Sequence, residues 1–228
     1  MANRLLVEFS DNLTPVPYDH LYTLNGWLNK QLGVNPQHDQ LSLYSYSSLQ
    51  AEYVRHAPNK GGLLFTNPYL FINFHDPNLV EQLRATLTTN RVSVFDMEIT
   101  GVDTDETPYF GSRCVFETST GVLLRGNSRD VVAGKRRVYL ASDDAELTEQ
   151  MLTRVLLRKA ALAGLPGEVR VRFAPSAEAW KMKAYRVKGG RQECSQHPVL
   201  IEGDSHLLQF AWNVGVGHLT GIGFGSLL

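Results

Sequence analysis

The sequence is poor in the features that mark several common classes of protein. Only two cysteines, Cys114 and Cys194, occur in 228 residues. Their separation fits neither a zinc pattern nor a disulfide framework, so both are expected to be buried or incidental thiols. No apolar run approaches the roughly 18 residues that a membrane span needs, and the N-terminus lacks the layout of a signal peptide. The sequence therefore predicts a cytoplasmic protein with no membrane partner.

An excess of charge of either sign is also missing from the chain as a whole. The 22 Lys and Arg balance 23 Asp and Glu, and a formal net charge of −1 argues against bulk nucleic-acid binding. The distribution is uneven, because residues 1–105 contain 6 basic and 11 acidic residues, whereas residues 106–228 contain 16 and 12. The second half is therefore the candidate nucleic-acid-facing half, although solvated helix faces alone also produce such an asymmetry.

Sequence signals for a metal site and for a serine hydrolase are absent. No set of His, Cys, Asp and Glu has the spacing of metal ligands, and no Gly-x-Ser-x-Gly occurs. We therefore expect neither a metal nor a cofactor. The seven histidines are the natural candidates for proton transfer near neutral pH.

The hydrophobic pattern of the first half predicts the order βαββαβ, which is that of a ferredoxin-like unit. Apolar stripes at helical spacing predict helices over 21–32 and 78–87. Alternating or clustered apolar residues predict a first strand ending at Phe9 and a last strand over 92–102. The polar, acidic segment 101–108 is the one convincing boundary in the chain.

The second half has the same kind of pattern with extra strands. A hairpin is predicted from 109–117 and 122–125, a long helix over 143–163, and a short helix over 205–212, before a glycine-rich loop and a closing strand. We therefore predict an α+β fold of two tandem ferredoxin-like (RRM-like) domains with a C-terminal glycine-rich loop. The predicted domains cover residues 1–103 and 108–228.

The glycine-rich loop reads NVGVGHLTGIGFGSLL and occupies 213–228. Glycine adopts positive φ freely and allows close backbone approach. The loop is thus either a phosphate-binding turn with outward N–H groups or a tight turn that packs closely, and His218 within it contacts a phosphate or faces water. The candidate phosphate-binding residues are Gly215, Gly217, His218, Gly221, Gly223 and Gly225.

This loop resembles the C-terminal glycine-rich signature of the CRISPR-associated endoribonucleases that cut repeat RNA, within the repeat-associated mysterious protein (RAMP) superfamily. The family pattern is Gly-x-Gly, a few polar residues, and then x-Gly-Phe-Gly with an apolar residue. It is matched at Gly215, Gly217, Gly223, Phe224 and Gly225. The segment from Pro17 to His20 also resembles the family's opening, and the family's two tandem ferredoxin-like domains agree with the predicted fold.

The resemblance implies metal-independent RNA cleavage that leaves a 2′,3′-cyclic phosphate and a 5′-hydroxyl. His38, in the polar loop after the first helix, stands where this family commonly places its catalytic histidine, a general acid or base. His20 and Lys30 are weaker catalytic candidates. Some family members carry a tyrosine and a lysine that align roughly with Asn29 and Ser42, so the sequence departs from the pattern there.

Two basic stretches of the second half are candidate RNA contacts, because cations hold phosphates and interleaved aromatics stack on unpaired bases. Ordinary exposed charge is the alternative explanation. The predicted contacts are Arg125, Arg129, Lys135, Arg136 and Arg137 in the first stretch, and Lys181, Lys183 and Arg186 in the second.

The resemblance implies CRISPR repeat RNA as the partner. Binding to other CRISPR effector subunits and formation of a homodimer are further possibilities. Two further functions remain as alternatives. One is a non-catalytic subunit of an effector complex that binds repeat RNA. The other is a structural or interaction protein of tandem α+β fold, in which the glycine-rich loop only packs.

Overall fold

The computed structural model describes residues 2–33, 41–91, 93–127, 129–132, 134–175 and 180–228. No helix in these ranges is long and apolar enough to cross a membrane. The first half forms strands β1 (Ala2–Phe9), β2 (Val16–Pro17), β3 (Tyr44–Tyr46), β4 (Gln50–Ala57), β5 (Gly62–Phe74) and β6 (Ile99–Glu106), with helices α1 (Leu21–Leu32) and α2 (Pro77–Thr89). In the second half the strands are β7 (Arg113–Phe116), β8 (Leu124–Arg125), β9 (Val131–Val132), β10 (Lys135–Arg136), β11 (Val138–Tyr139), β12 (Val169–Phe173), β13 (Lys181–Val187), β14 (Gly190–Gln196) and β15 (Val199–Gly203), and the helices are α3 (Ala145–Leu162) and α4 (Ser205–Val214).

The sheet of the first half has the ferredoxin-like strand order. β1 lies between β5 and β6, and β5 also pairs with β2, β3 and β4, all antiparallel. Alternate residues of β1, Leu5, Val7 and Phe9, are buried with the apolar stripes of α1 and α2. The helices thus cover one face of this sheet, as the sequence pattern predicted.

The sheet of the second half repeats this arrangement with a very short last strand. β15 lies between β12 and β7, and Leu227 forms a bridge with Thr118 just beyond β7. Along the strand that contains β7, the even-numbered Ser112 bonds to β15, because its carbonyl accepts from Gly203 N, whereas the odd-numbered Ser119 donates its N–H to Ser226 O. Successive residues of a strand direct their hydrogen bonds to opposite sides. The bridge to Leu227 therefore lies on the side of this strand away from β15. The predicted α+β fold of two ferredoxin-like units is confirmed.

Several local predictions are wrong, for reasons of long-range pairing. The predicted hairpin of 109–117 with 122–125 does not form, because β7 pairs with β15, and β8 pairs with β11. The strand predicted from residue 92 begins only at Ile99, because Phe95 and Asp96 have positive φ and form a turn. In the predicted closing strand, 220–222 is a 3₁₀ turn, and Leu227 supplies the bridge described above.

The acidic segment after Gly101 is not simply a linker. β6 continues through it to Glu106, with Asp103 opposite Leu6 and Asp105 opposite Arg4. The division of the chain into domains 1–103 and 108–228 stays a prediction. Cys194 is buried and Cys114 is half-buried, and both are free thiols.

The second face of the first sheet packs against α4, which joins the two halves. Asn73 Nδ2 donates to Trp212 O at 3.2 Å, and Ser45 Oγ donates to Asn213 O at 3.1 Å. The Arg4 guanidinium lies 3.5 Å from the centre of a Trp212 ring and 4.1 Å from that of Phe71. Its Nη2 donates to Leu227 O at 3.0 Å. The glycine-rich loop that follows α4 is therefore held against both halves.

Candidate functional site

Positive φ angles shape the glycine-rich loop after α4. Gly215, Gly217, Gly223 and Gly225 have φ of 69°, 75°, 91° and 59°, a region that glycine occupies without a steric penalty. Leu219 also has positive φ, 58°, and precedes the 3₁₀ turn of 220–222. The loop therefore reverses direction more than once within a few residues.

Protein atoms surround all five glycines of the loop closely. A Cβ at Gly223 would lie 2.9 Å from the Tyr46 ring, and one at Gly221 would lie 3.0 Å from the Tyr44 hydroxyl and even closer to Ser42. A Cβ at Gly225 would collide with the carbonyl of Val216. β3 of the first half therefore packs directly on the loop.

The loop's backbone N–H groups are also largely engaged within the protein. Gly215 N donates to Ala211 O, Gly223 N to Thr220 O and Gly225 N to Gly121 O. These groups do not point outward as an anion-binding turn requires. The geometry favours close packing as the reason for the glycines, and RNA contact by Gly215, Gly217, Gly221, Gly223 and Gly225 stays a prediction.

A buried lysine that sequence reasoning missed holds the loop. Lys159 Nζ donates to Val214 O at 2.9 Å, to Gly215 O at 3.3 Å and to Thr220 Oγ1 at 2.8 Å. The two carbonyls lie at the C-terminus of α4, where an ammonium satisfies unpaired acceptors and complements the helix dipole. Burial lowers the pKa of Lys159 to about 7. A cation on the apolar stripe of α3 was the available signal in the sequence.

His218 projects from the loop toward β8. Its Nδ1 accepts the backbone N–H of Arg125 at 3.3 Å. Burial, helped by the nearby Lys159, Arg125 and Arg154 cations, lowers the pKa of His218 to about 4. The imidazole is therefore neutral near pH 7 and is a poor proton donor in this state.

Four arginines line a groove next to His218, which we call the arginine groove: Arg125, Arg136, Arg137 and Arg191. The groove encloses about 730 Å³. The Arg125 guanidinium donates to Gln192. Burial of this guanidinium lowers the pKa of Arg125, and the like charge of the neighbouring Arg136 lowers it further. The like charges that converge here are suited to hold phosphates.

The structure brings together only part of the predicted basic set. Arg125, Arg136 and Arg137 meet in the groove, whereas Arg129 is exposed just before β9, and Lys135 belongs to β10 with its side chain outside the described part. The second stretch supplies the β13–β14 hairpin, on which Lys181, Lys183 and Arg186 are exposed. Arg191 enters the groove from this hairpin, so the two stretches form one surface.

The predicted catalytic residues are distributed differently. His38 lies in 34–40, outside the described residues. His20 is buried at the start of α1, between the rings of Phe65 and Phe95, and desolvation lowers its pKa. This position favours a structural role for His20. Lys30 is exposed in the last turn of α1.

The positions of the missing family residues are occupied by groups without acid–base capacity near neutral pH. Asn29 Nδ2 donates to Asn25 Oδ1 at 3.1 Å, and Ser42 lies against Gly221. Within the described ranges, no three His, Cys, Asp or Glu side chains are grouped as metal ligands.

Comparisons with known proteins agree with this architecture. Three similar solved structures are described as a Cas6-related gene from Pyrococcus furiosus, a RAMP protein binding different RNA substrates, and a CRISPR associated protein Cas6. Their identities are 16%, 16% and 20%, with TM-scores of 0.84, 0.82 and 0.79. The matches cover 100%, 99% and 100% of this chain and 98%, 98% and 99% of those chains. At these identities the similarity shows the fold alone.

Sequence comparison identifies the family. No curated protein matches the sequence, but the family model for the C-terminal part of CRISPR associated protein Cas6 matches residues 104–227. This match begins in β6, spans more than half of the chain and includes the arginine groove and the glycine-rich loop. The protein therefore belongs to the CRISPR-associated Cas6 family.

Proposed function

We propose that this protein binds CRISPR repeat RNA in the arginine groove and cleaves it to release CRISPR RNAs. Membership of the Cas6 family supports RNA processing, as do related structures described as Cas6 product and substrate-mimic complexes. The observation that carries the proposal is the convergence of Arg125, Arg136, Arg137 and Arg191 on one groove. Among the described residues, only Arg191 of the four forms an ion pair within the groove, with Glu193 at 3.2 Å, so an excess of positive charge is left for a polyanion to neutralise.

In the proposed reaction, the 2′-oxygen attacks the adjacent phosphorus while a general base takes its proton. The bond from phosphorus to the 5′-oxygen breaks, and a general acid protonates that oxygen, which leaves a 2′,3′-cyclic phosphate and a 5′-hydroxyl. We assign a proton transfer to His38, as the family resemblance implies. His38 lies only four residues before Ser42 in the chain, and Ser42 contacts the glycine-rich loop.

Positive charge near the cleaved phosphate must stabilise the dianionic transition state. His218 does not supply it near neutral pH, because its pKa is lowered to about 4. Lys30, in the last turn of the helix that precedes His38, is the nearest candidate along the chain. The cation and the histidine form the catalytic part of this proposal.

A non-catalytic repeat-RNA binder is the second candidate function. The observation that favours it is the pair Asn29 and Ser42, which cannot exchange protons or carry charge as the aligned tyrosine and lysine would. Binding through the arginine groove is common to both candidates, so cleavage alone separates them.

The test is incubation of the purified protein with its own genomic repeat RNA, with and without EDTA, followed by sequencing of the product ends. We expect cleavage that EDTA does not affect, that stops when the 2′-hydroxyl at the cut site is replaced by hydrogen, and that His38→Ala slows roughly 10²–10⁴-fold. Repeat affinity of His38→Ala should change little. Tight binding without cleavage would favour the second candidate.

A matched variant tests the binding surface. Replacing Arg125, Arg136 and Arg137 with Gln should weaken repeat binding and flatten its salt dependence, since each lost phosphate contact lowers the slope of log K against log salt by about 0.7–0.9. Arg84→Gln serves as the control, because Arg84 is exposed on α2 and pairs with Glu81. An unchanged slope in the triple variant would contradict the placement of RNA in the groove.

A further inference from the structure

An exposed aromatic pair lies on the first half, beside the β4–β5 hairpin. The Tyr18 ring is 6.0 Å from the His56 ring, with the two planes inclined by 33°. Tyr18 nevertheless remains 44% exposed. Pro17 pairs with Gly62, the first residue of β5. The next residue, Tyr18, therefore lies beside the turn of this hairpin, which contains Lys60. One ring therefore supports the other while leaving aromatic surface open to solvent.

The end of the β13–β14 hairpin, from the second half, reaches the same place. The backbone N–H of Arg186 donates to Asp19 Oδ1 at 3.3 Å. In the strand register, Arg186 lies directly opposite Arg191, which lines the arginine groove. Residues directly opposite in an antiparallel pair have Cα atoms roughly 4.5–5.5 Å apart. The end of the β13–β14 hairpin therefore lies next to both the arginine groove and the Tyr18–His56 pair.

The charges around the aromatic pair favour an anion. Lys60, Arg186 and Lys188 are all exposed, and none forms an ion pair with another described residue. Like charges directly opposite on neighbouring strands, as in Arg186 and Arg191, destabilise a hairpin. Arg191 is paired with Glu193 at 3.2 Å, so Arg186 is the member of this pair that a bound polyanion would neutralise.

The nearby carboxylates are fewer than these cations, and each already accepts a hydrogen bond from a neutral group. Asp19 accepts from the Arg186 N–H, and Glu52 accepts from Asn67 Nδ2 at 2.7 Å. The combination of exposed cations with an open aromatic ring is the arrangement that binds single-stranded nucleic acid, because phosphates follow the cations and a base stacks on the ring. A peptide partner would need no such excess of positive charge.

We propose that Tyr18, supported by His56, stacks on an unpaired base of RNA that leaves the arginine groove across the end of the β13–β14 hairpin. This subsite rests on the proposed binding of repeat RNA and adds a site for its unpaired strand. Recognition of RNA in single-stranded segments commonly uses such stacking on aromatic side chains. Tyr18 contacts the bound strand in this arrangement and takes no part in the reaction.

The experiment compares Tyr18→Ala, Tyr18→Phe and Tyr109→Ala in the full chain. Tyr109 is a matched control, because its side chain is 78% exposed in the segment before β7. Affinity is measured by fluorescence anisotropy with the repeat RNA and with a short unstructured oligoadenylate. 2-Aminopurine placed at successive positions of the repeat then locates the stacked base by its quenched emission.

We expect Tyr18→Ala to weaken binding of both RNAs by about 5- to 150-fold, the range for loss of one stacked base. Tyr18→Phe and Tyr109→Ala should bind like the wild type. The salt dependence should be unchanged in Tyr18→Ala, because stacking releases no counterions, whereas the arginine triple variant has a lower slope. One 2-aminopurine position should lose its quenching in Tyr18→Ala only.

The outcomes separate this subsite from the proposed function. Wild-type affinity of Tyr18→Ala, combined with weak binding by the arginine triple variant, would overturn the subsite and leave repeat binding standing. Oligoadenylate binding that depends on Tyr18, without repeat binding, would overturn the proposed function and leave the subsite. Failure of the wild type to bind either RNA would overturn both.

Discussion

Gly223→Ala tests whether the glycine-rich loop exists for packing or for phosphate contact. At Gly223 the φ of 91° lies in the left-handed region, where a Cβ costs roughly 1–2 kcal/mol. The new methyl group would also lie 2.9 and 3.1 Å from two atoms of the Tyr46 ring and 3.2 Å from Leu21 Cδ2. The backbone strain and the steric contact both destabilise the folded protein, and neither depends on RNA.

The Tyr46 ring has little freedom to move away. It is 1% exposed, and its hydroxyl donates to Leu21 O at 3.2 Å. Overpacking of such a site costs about 1–3 kcal/mol. The two terms together predict a loss of about 2–5 kcal/mol in the free energy of unfolding, which for a chain of this length lowers Tm by roughly 4–20 °C.

Two other glycines provide controls, measured by thermal and urea unfolding. Gly111 has φ of 65° with no atom within 4 Å of a built Cβ, so Gly111→Ala should lose only the backbone term, about 1–2 kcal/mol. Gly26 lies inside α1 with open space around it, so Gly26→Ala should stabilise by about 0.5–1 kcal/mol. A Gly223→Ala protein that melts like the wild type but loses RNA affinity would refute the packing explanation.

Three further predictions follow from buried groups. Arg4→Met should cost about 1–3 kcal/mol in urea unfolding, because Asn73 Oδ1 and Leu227 O lose the hydrogen bonds that Arg4 donates; a variant as stable as the wild type would contradict this. The pKa of Lys159 falls from 10.5 to about 7, so between these values the unfolded state holds more protons, and stability should rise with pH by up to ~1.4 kcal/mol per unit relative to Lys159→Met; parallel pH profiles would argue against it. Burial raises the pKa of Cys194 to about 12, so thiol reagents should label it only after unfolding, and rapid labelling of native protein would show the thiol to be accessible.

The helices and the order of elements were predicted best, because they depend on residues that are close together along the chain. α2 begins at Pro77, behind the Asp76 cap that accepts from Asn78 N, and α3 begins behind Asp144, which accepts from Leu147 N. Such caps and the apolar stripes that follow them are local signals. The βαββαβ order of the first half rests on these signals, and the strand pairing agrees with it.

Long-range pairing explains what the sequence did not predict. Val122 and Leu124 belong to one core and Leu123 to another, so this fully buried run did not identify its partner strand. The basic residues were recognisable by composition, but the entry of Arg191 into the arginine groove depends on the register of β13 with β14. The acceptors of Lys159 lie more than 50 residues along the chain, and no local pattern connects them.

The packing of α4 between the two sheets has a consequence for the autonomy of the halves. The first half alone would lose the carbonyls that pair with Asn73 and Ser45 and would expose Phe71, which is 4% exposed in the whole protein. The second half alone would lose the sheet that covers Trp212. Although each half has a complete ferredoxin-like strand order, the two should unfold together in one cooperative transition, and neither should fold well when expressed without the other.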